Sequence, residues 1–108
     1  MTPRASASQE AVWRRRLARL VSKEAFARGT LAWRERVCGK PTCRCAQGER
    51  HRGLYLVYRE GGRTRQAYVP RAWHERVQEW VEHYREVKDL LDCVSQAQYR
   101  RLRERKAP

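Results

Sequence analysis

A cluster of three cysteines and one histidine constrains this chain more than any other feature. It reads Cys38-x4-Cys43-x-Cys45-x5-His51, and the glycines and the proline inside it allow the backbone to turn sharply. Zn²⁺ in closed structural sites takes four tetrahedral thiolate or imidazole ligands, and Cys₃His sets are common. We therefore predict a structural zinc knuckle over residues 38–51, with Cys38, Cys43, Cys45 and His51 as the metal ligands.

The fourth ligand has an alternative, because the spacing is not the repeated C-x2-C of zinc ribbons. Cys93 is the alternative to His51, although a small buried apolar role explains a cysteine on a helix better. A redox or disulfide role for the thiols is less favoured, since nothing in the sequence suggests export and a reducing compartment favours metal over disulfide. We expect a cytoplasmic protein in which residues 1–7 form a disordered lead-in.

Positive charge is concentrated in the middle of the chain. The 108 residues carry a net charge of +13. Residues 28–71 hold eleven basic and three acidic side chains, whereas residues 72–108 hold eight and seven. Such a field attracts phosphate backbones and makes binding depend steeply on salt. No apolar run approaches the ~18–20 residues that a membrane span needs, so we expect no membrane partner.

The hydrophobic periodicity changes twice and predicts an α+β fold. Apolar residues at helical spacing predict a first helix over 8–28, which Gly29 would end. Alternation then predicts a strand over 30–37, and Gly61-Gly62 predicts the turn of a hairpin between two further strands. The three strands form an antiparallel sheet over 30–69 that contains the metal loop.

Two helices are predicted after the sheet. Pro70 suits the first turn of a long helix over 71–92, and its apolar residues recur at three- and four-residue steps. Ser95 and Gln98 resemble a capping box that opens a short last helix over 95–105. We predict a single zinc-stapled α+β domain over 8–105.

Basic and aromatic side chains alternate around the cysteines, which is typical of nucleic-acid-binding surfaces. Exposed aromatic rings stack on unpaired bases, although about half of the rings in so small a sheet must form its core. The sequence leaves DNA or RNA, and single or double strands, open. The predicted phosphate contacts are Arg34, Arg36, Lys40, Arg44, Arg50, Arg52, Arg59, Arg63 and Arg65. The predicted stacking rings are Trp33, Tyr55 and Tyr58.

Catalysis is not expected. Glu49 is close to the cysteines in sequence, but the chain has no H-E-x-x-H motif, no deaminase pattern and no carboxylate pair. The function we predict is therefore zinc-dependent nucleic-acid binding without catalysis. The alternative is a protein-interaction module, in which the Trp and Val stripe of residues 73–94 forms a homodimer or binds a protein partner and the zinc is purely structural.

The motifs resemble those of an uncharacterised prokaryotic family, classed as a domain of unknown function, whose small proteins carry C-G-K-x-x-C-x-C and G-x-x-H-G-P-Y. The resemblance covers about residues 28–95 and implies that the three cysteines and the histidine act together. This chain reads His51-Arg52-Gly53-Leu54-Tyr55 where H-G-P-Y-Y is usual, which bears on the local turn and not on the ligands. Family members resemble companions of mobile elements, which implies an accessory role in a DNA-handling assembly. The residues that carry the likeness are Cys38-Gly39-Lys40-x-x-Cys43-x-Cys45, Gly48-x-x-His51, Tyr55, Val69-Pro70 and Trp80-x-x-x-Tyr84-Arg85.

Overall fold

The structure is a computed structural model that describes residues 7–36 and 51–105. It confirms the expected α+β class, with an N-terminal helix, a three-stranded antiparallel sheet and a long C-terminal helix. The elements are α1 (Ala7–Lys23), β1 (Thr30–Arg36), β2 (His51–Glu60), β3 (Arg63–Val69), a 3-10 turn (Arg71–Trp73) and α2 (His74–Glu104).

Contacts group the chain into two compact units. The helical unit comprises Met1–Ala27 and Glu82–Pro108, and the sheet unit comprises Arg28–Val81. The first turns of α2 belong to the sheet unit and the rest of α2 belongs to the helical unit. The single domain expected over 8–105 stays a prediction.

The sheet has the order β1-β2-β3 with both pairs antiparallel. Gly61 and Gly62 connect β2 to β3 with φ of 57° and 79°, and Glu60 pairs with Arg63 across them. Positive φ at both central residues is what a two-residue type I′ hairpin turn requires. The glycine pair thus forms the predicted turn, and β3 ends at Val69, where the sheet was predicted to end.

The core of the sheet unit lies against the start of α2. Leu54 and Val69 are neighbours across the β2–β3 pair, and their buried side chains form one cluster with Val77 of α2. Pro70 leads into this contact, because its carbonyl oxygen accepts a 2.8 Å hydrogen bond from the N–H of Trp73 and so opens the 3-10 turn. Further partly buried side chains around the cluster are Leu31, Leu56 and Trp80.

The core of the helical unit lies between α1 and the later turns of α2. Leu20 is fully buried and packs with Val87 and Leu90, while Trp13 and Leu17 cover the cluster. At the surface, Arg16 makes a two-pronged ion pair with Glu86, at 2.7 Å and 3.0 Å. The apolar residues at helical spacing on α1 and α2 are thus the ones that pack against each other in this core.

The first helix is shorter than the predicted span 8–28, because α1 ends at Lys23. A longer helix would bond the Ala25 carbonyl oxygen to the N–H of Gly29, but this oxygen instead lies 2.9 Å from Nδ1 of His83. Gly29 does not cap the helix. It lies beside β2, where a Cβ atom would approach the Val57 carbonyl oxygen to 2.9 Å, so a close backbone contact accounts for the glycine.

The predicted short last helix over 95–105 is wrong as a separate element, because α2 continues without a break to Glu104. Residues 71–107 contain neither glycine nor proline, so nothing in the sequence ends the helix near residue 92. Ser95 and Gln98 lie inside it, and Gln98 Nε2 donates to the Val94 carbonyl oxygen at 3.2 Å. The pattern that resembled a capping box is thus mid-helical.

Neither helix of the described ranges is long and apolar enough to cross a membrane.

Candidate nucleic-acid interface

The register of the sheet decides which side chains share a face, because directly paired residues point to the same side. Trp33, Leu54 and Val69 lie in one row across the three strands, and this face packs against the start of α2. Tyr55 and Tyr68 are paired on the other face. The predicted binding residues of the strands are therefore divided between the two faces, because successive residues of a strand point to opposite sides of the sheet.

A pocket of about 460 Å³ lies near the end of the sheet at which β1 finishes and β2 begins. It is lined by aromatic, basic and histidine side chains together with one glycine. Leu54, a member of the sheet core, contributes to the lining as well. The other residues that line it are Trp33, Arg52, Gly53, Tyr68, Arg71 and His74.

Trp33, one of the predicted stacking rings, stands at this pocket and is 53% exposed. Its ring meets His74 edge-on, with centroids 5.5 Å apart and an angle of 82° between the planes. The Arg52 guanidinium lies over the ring at 4.9 Å from its centroid, within cation–π range. The two neighbours orient the indole and leave half of its surface accessible.

Tyr55 does not fulfil the predicted stacking role, because only 7% of it is exposed. Its partner across the strands, Tyr68, is 60% exposed and meets Tyr55 edge-on at 5.7 Å between ring centroids. Tyr68 therefore replaces Tyr55 as the accessible ring, and Tyr58 is half-buried. Alternation alone could not show which ring of the pair is covered.

Gly53 of β2 lies against the rings of Tyr55 and Tyr68. A Cβ atom there would lie 3.2 Å from Cε2 of Tyr68 and 3.4 Å from Cε2 of Tyr55. Because glycine has no side chain, the pocket stays open beside the Tyr68 ring. The residues Arg52-Gly53 belong to β2, so the departure from the H-G-P-Y-Y pattern falls in a strand and not in a turn.

The predicted arginines differ in what they already contact. Arg59 donates from Nη2 to the Gly62 carbonyl oxygen at 2.7 Å and from Nη1 to Oγ1 of Thr64 at 3.3 Å, so it is tied to the hairpin turn. Arg65 lies 3.3 Å from a carboxylate oxygen of Glu60. The side chains of Arg34 and Arg63 are exposed and form no hydrogen bond or ion pair with any residue of 7–36 and 51–105.

Arg71 and His74 were missed as site residues. His74 Nε2 lies 3.1 Å from the Val69 carbonyl oxygen, which can only accept, so Nε2 carries the proton. In the neutral ring Nδ1 is then a hydrogen-bond acceptor. The only sequence signal for either residue was its place just after Pro70, where the chain turns back from β3 towards α2.

The predicted metal ligands Cys38, Cys43 and Cys45 lie outside the described residues, as do Lys40, Arg44 and Arg50. The backbones of Arg36 and His51 are described, and these two residues pair at the end of the β1–β2 ladder. Cys93 is a half-buried free thiol on α2 in the helical unit. Among residues 7–36 and 51–105, no three His, Cys, Asp or Glu side chains are grouped to hold a metal.

The arginines of the helical unit include several that are neutralised by carboxylates. Buried Glu10 accepts from Arg14 Nε at 3.0 Å and from Arg101 Nη1 at 2.8 Å. The hydrogen bond from Arg14, ahead of that from Arg101, holds the pKa of Glu10 below its ordinary value despite the opposing effect of burial. The hydrogen bond from Arg16 likewise lowers the pKa of Glu86.

The apolar stripe of residues 73–94 is largely used inside the protein. Val77 belongs to the core of the sheet unit, Val87 and Leu90 belong to that of the helical unit, and Val81 is also buried. These side chains are therefore used in the protein's own core, whereas Trp73 and Leu91 of the same stripe are exposed, so the predicted partner surface stays a prediction.

Comparison with known proteins gives a family and no activity. No curated protein matches the chain, and no solved structure matches it. Residues 9–79, about two thirds of the chain, match a protein family described as a domain of unknown function, DUF6788. This range contains all but the first two residues of α1, the whole sheet and the pocket residues, as well as the cysteine cluster. The chain belongs to the DUF6788 family.

Proposed function

We propose that this chain is a non-catalytic nucleic-acid-binding protein whose sheet unit contacts the phosphate backbone. The observation that carries the proposal is the excess of arginine on the sheet and its flanks. Residues 28–36 and 51–71 hold eight arginines and two glutamates. A surface with such an excess attracts polyanions, and each phosphate it neutralises releases condensed counterions.

Accessible aromatic rings beside these arginines support a nucleic acid over other polyanions. Trp33 and Tyr68 are both more than half exposed at the pocket that Arg52 and Arg71 also line. Aromatic side chains among basic ones are typical of surfaces that bind bases as well as phosphates.

A structural Zn²⁺ is part of the proposal, with Cys38, Cys43 and Cys45 as ligands and His51 preferred over Cys93 as the fourth. The support is the ligand spacing, together with the pairing of Arg36 and His51. This pairing means that the segment holding the cysteines leaves and re-enters the sheet at adjacent positions. Arg36 precedes Cys38 by two positions in the sequence and is paired with His51, so the two described ends of this segment are adjacent, which suits a compact site.

We further propose that the protein acts as an accessory subunit of a larger nucleoprotein assembly, with DNA as the expected nucleic acid. A small binding module without a catalytic motif is suited to such a role. Within this proposal the positive charge recruits the nucleic acid, and the zinc stabilises the end of the sheet from which the pocket is built.

The proposal is tested by measuring affinity for a labelled oligonucleotide at several salt concentrations. If the sheet contacts several phosphates, log K should fall linearly with log salt, with a slope of about −0.7 to −0.9 per phosphate. Arg34→Ala and Arg63→Ala should each weaken binding and reduce that slope by about one contact. Both side chains are exposed and unpaired within the described residues, so their loss should leave the fold intact.

Arg15→Ala is the matched control, because it removes the same charge from an exposed position on α1. Its effect on affinity should be smaller than that of either sheet variant. An affinity that does not change with salt would contradict the proposal. Equal losses for all three variants would show that net charge, and not the sheet surface, is responsible.

A further inference from the structure

We infer that the pocket at the end of the sheet binds an unpaired nucleobase, so that the protein prefers single-stranded nucleic acid to a duplex. The inference rests on the proposed nucleic-acid binding and adds the class of ligand that the pocket selects. Three properties of the pocket carry it: its accessible rings, the space beside Gly53, and the arginines at its edge.

The aromatic rings are accessible and already oriented. Tyr68 and Trp33 are 60% and 53% exposed. Each ring is held by one edge-on aromatic neighbour, Tyr55 for Tyr68 and His74 for Trp33. A ring fixed before binding loses little conformational entropy when a base stacks on it. Bases inside a duplex are already stacked on one another, so only an unpaired base can use such a ring.

The space for the base lies beside Gly53. The volume of about 460 Å³ falls within the range of small-ligand pockets. A Cβ atom at position 53 would come within 3.2 Å of the Tyr68 ring, so a side chain there would occupy the approach to that ring. The φ of Gly53 is not in the left-handed region, so the backbone does not require glycine. We assign the glycine to keeping the pocket open.

The charged groups at the pocket suit the phosphates of the same strand. Arg52 and Arg71 both line it, and the Arg71 guanidinium makes no hydrogen bond or ion pair with another described residue. His74 also lines the pocket, and its ring is held by the hydrogen bond from Nε2 to the Val69 carbonyl oxygen. The pocket thus offers rings for a base and cations for its phosphate.

The test compares the full-length protein on three probes of equal length: a single-stranded oligonucleotide, its duplex, and an abasic strand that has the same phosphates without bases. We expect the single strand to bind about 10-fold more tightly than the abasic strand, because stacking contributes ~1–3 kcal/mol per base. This comparison needs no substitution, so it stands even where a variant is unstable.

Substitutions then locate the effect. Tyr68→Ala and Gly53→Leu should remove most of the preference for the base-bearing strand, leaving affinity for the abasic strand and its salt dependence unchanged. Tyr68→Phe should retain the preference, since the ring is kept. Tyr99→Ala is the matched control, because Tyr99 is 59% exposed on the helical unit. Thermal melts of each variant check that the fold is retained.

The outcomes separate this inference from the proposed function. Equal binding of all three probes with a steep salt dependence would overturn the base pocket and leave nucleic-acid binding intact. Absence of binding to any probe at low salt would overturn both. Competition by adenosine monophosphate at concentrations as low as those of the oligonucleotide would assign the pocket to a free nucleotide and would also overturn the inference.

Discussion

At the scale of single residues, the arginines of the sheet unit separate into those with an internal role and those without one. The guanidinium of Arg59 bonds to the hairpin turn and that of Arg65 pairs with Glu60. The guanidinium groups of Arg34 and Arg63 bond to no carboxylate or carbonyl of the described residues. A guanidinium that is already bonded must break those bonds before it can bind a phosphate. The unpaired arginines are therefore the stronger candidates for phosphate binding.

Glu10 provides a prediction on stability and pH. Glu10→Gln removes the carboxylate from between Arg14 and Arg101, so we expect a loss of ~1–2 kcal/mol in the free energy of unfolding at neutral pH. The folded-state pKa of Glu10 is lowered, so its stabilisation is fully present above the ordinary value of 4.5. That stabilisation is lost as the pH falls through the folded-state pKa. Thermal melts of both proteins from neutral to acidic pH measure the difference.

The control for this prediction is Glu86→Gln, which breaks the pair with Arg16. Both side chains of that pair are at least 40% exposed, so solvent screens them and the loss should be smaller. If the charge of Glu10 provides the stabilisation, the wild type and Glu10→Gln should have the same free energy of unfolding at acidic pH, where Glu10 is protonated. A constant difference between them at every pH would mean that packing, and not charge, is responsible.

Residue roles were only partly predictable from the sequence. The basic and aromatic character of the segment was visible, and Trp33 does stand exposed at the pocket. Tyr55 and Tyr68 have the same chemistry and share a face, yet one is buried and the other exposed. That difference depends on which atoms cover each ring, and no sequence period encodes it.

At the scale of secondary structure elements, the β2–β3 hairpin combines a structural arginine and an unpaired one within five residues. Arg59→Ala removes the hydrogen bonds to Gly62 and Thr64, so we expect a loss of ~0.5–1.5 kcal/mol in stability. Arg63→Ala removes no such bond and should leave the melting temperature unchanged. Thermal unfolding of the two variants measures this contrast.

The order of the two variants should reverse for nucleic-acid affinity: among folded molecules, Arg63→Ala should lose more affinity than Arg59→Ala. Arg63→Ala should weaken binding, because its guanidinium is available to phosphate. If instead Arg59→Ala melts like wild type, its bonds to the turn contribute nothing and the division of arginines into two kinds is wrong.

Element boundaries were predictable where local chemistry sets them. Gly61-Gly62 fixed the hairpin because only a residue tolerant of positive φ fits both turn positions. The end of α1 was not predictable, and the chain just after it makes a contact that no local pattern shows, between Ala25 and His83, 58 residues away. The continuity of α2 was missed because a local capping pattern was preferred over the absence of any helix-breaking residue from 71 to 107.

At the scale of the whole molecule, the metal proposal makes a prediction about folding. Purified protein should contain about one Zn²⁺ per chain, and chelation should unfold the sheet unit, because metal-binding energy in such sites is part of the folding energy. Cys43→Ser and Cys45→Ser should lose both zinc and structure. Elemental analysis with circular dichroism before and after chelation measures this.

Cys93→Ser decides between the two candidates for the fourth ligand. If His51 is the ligand, Cys93→Ser should keep its zinc and its fold, whereas His51→Ala should bind zinc more weakly. The reverse pattern would assign the site to Cys93. A double variant of Cys43 and Cys45 that stays folded would contradict the structural metal altogether.

The whole-molecule organisation was less predictable than the elements. Helical spacing identified apolar faces on both helices, but not that α2 supplies buried residues to two separate cores. A continuous row of apolar residues along α2 does not show at which residue its contacts with one core end and those with the other begin. The pocket was missed for a related reason, since its residues come from five elements, the three strands, the 3-10 turn and α2, and meet only in the folded chain.

Binding of nucleic acid at the pocket at the end of the sheet can be followed through the indole N–H signals of the four tryptophans. A two-dimensional nitrogen–proton spectrum recorded during titration with a single-stranded oligonucleotide follows all four at once. We predict that the Trp33 signal shifts with the added strand, because Trp33 lines the pocket. Trp13, which packs in the core of the helical unit, should not move. Saturating binding that shifts Trp13 and leaves Trp33 unchanged would contradict the account.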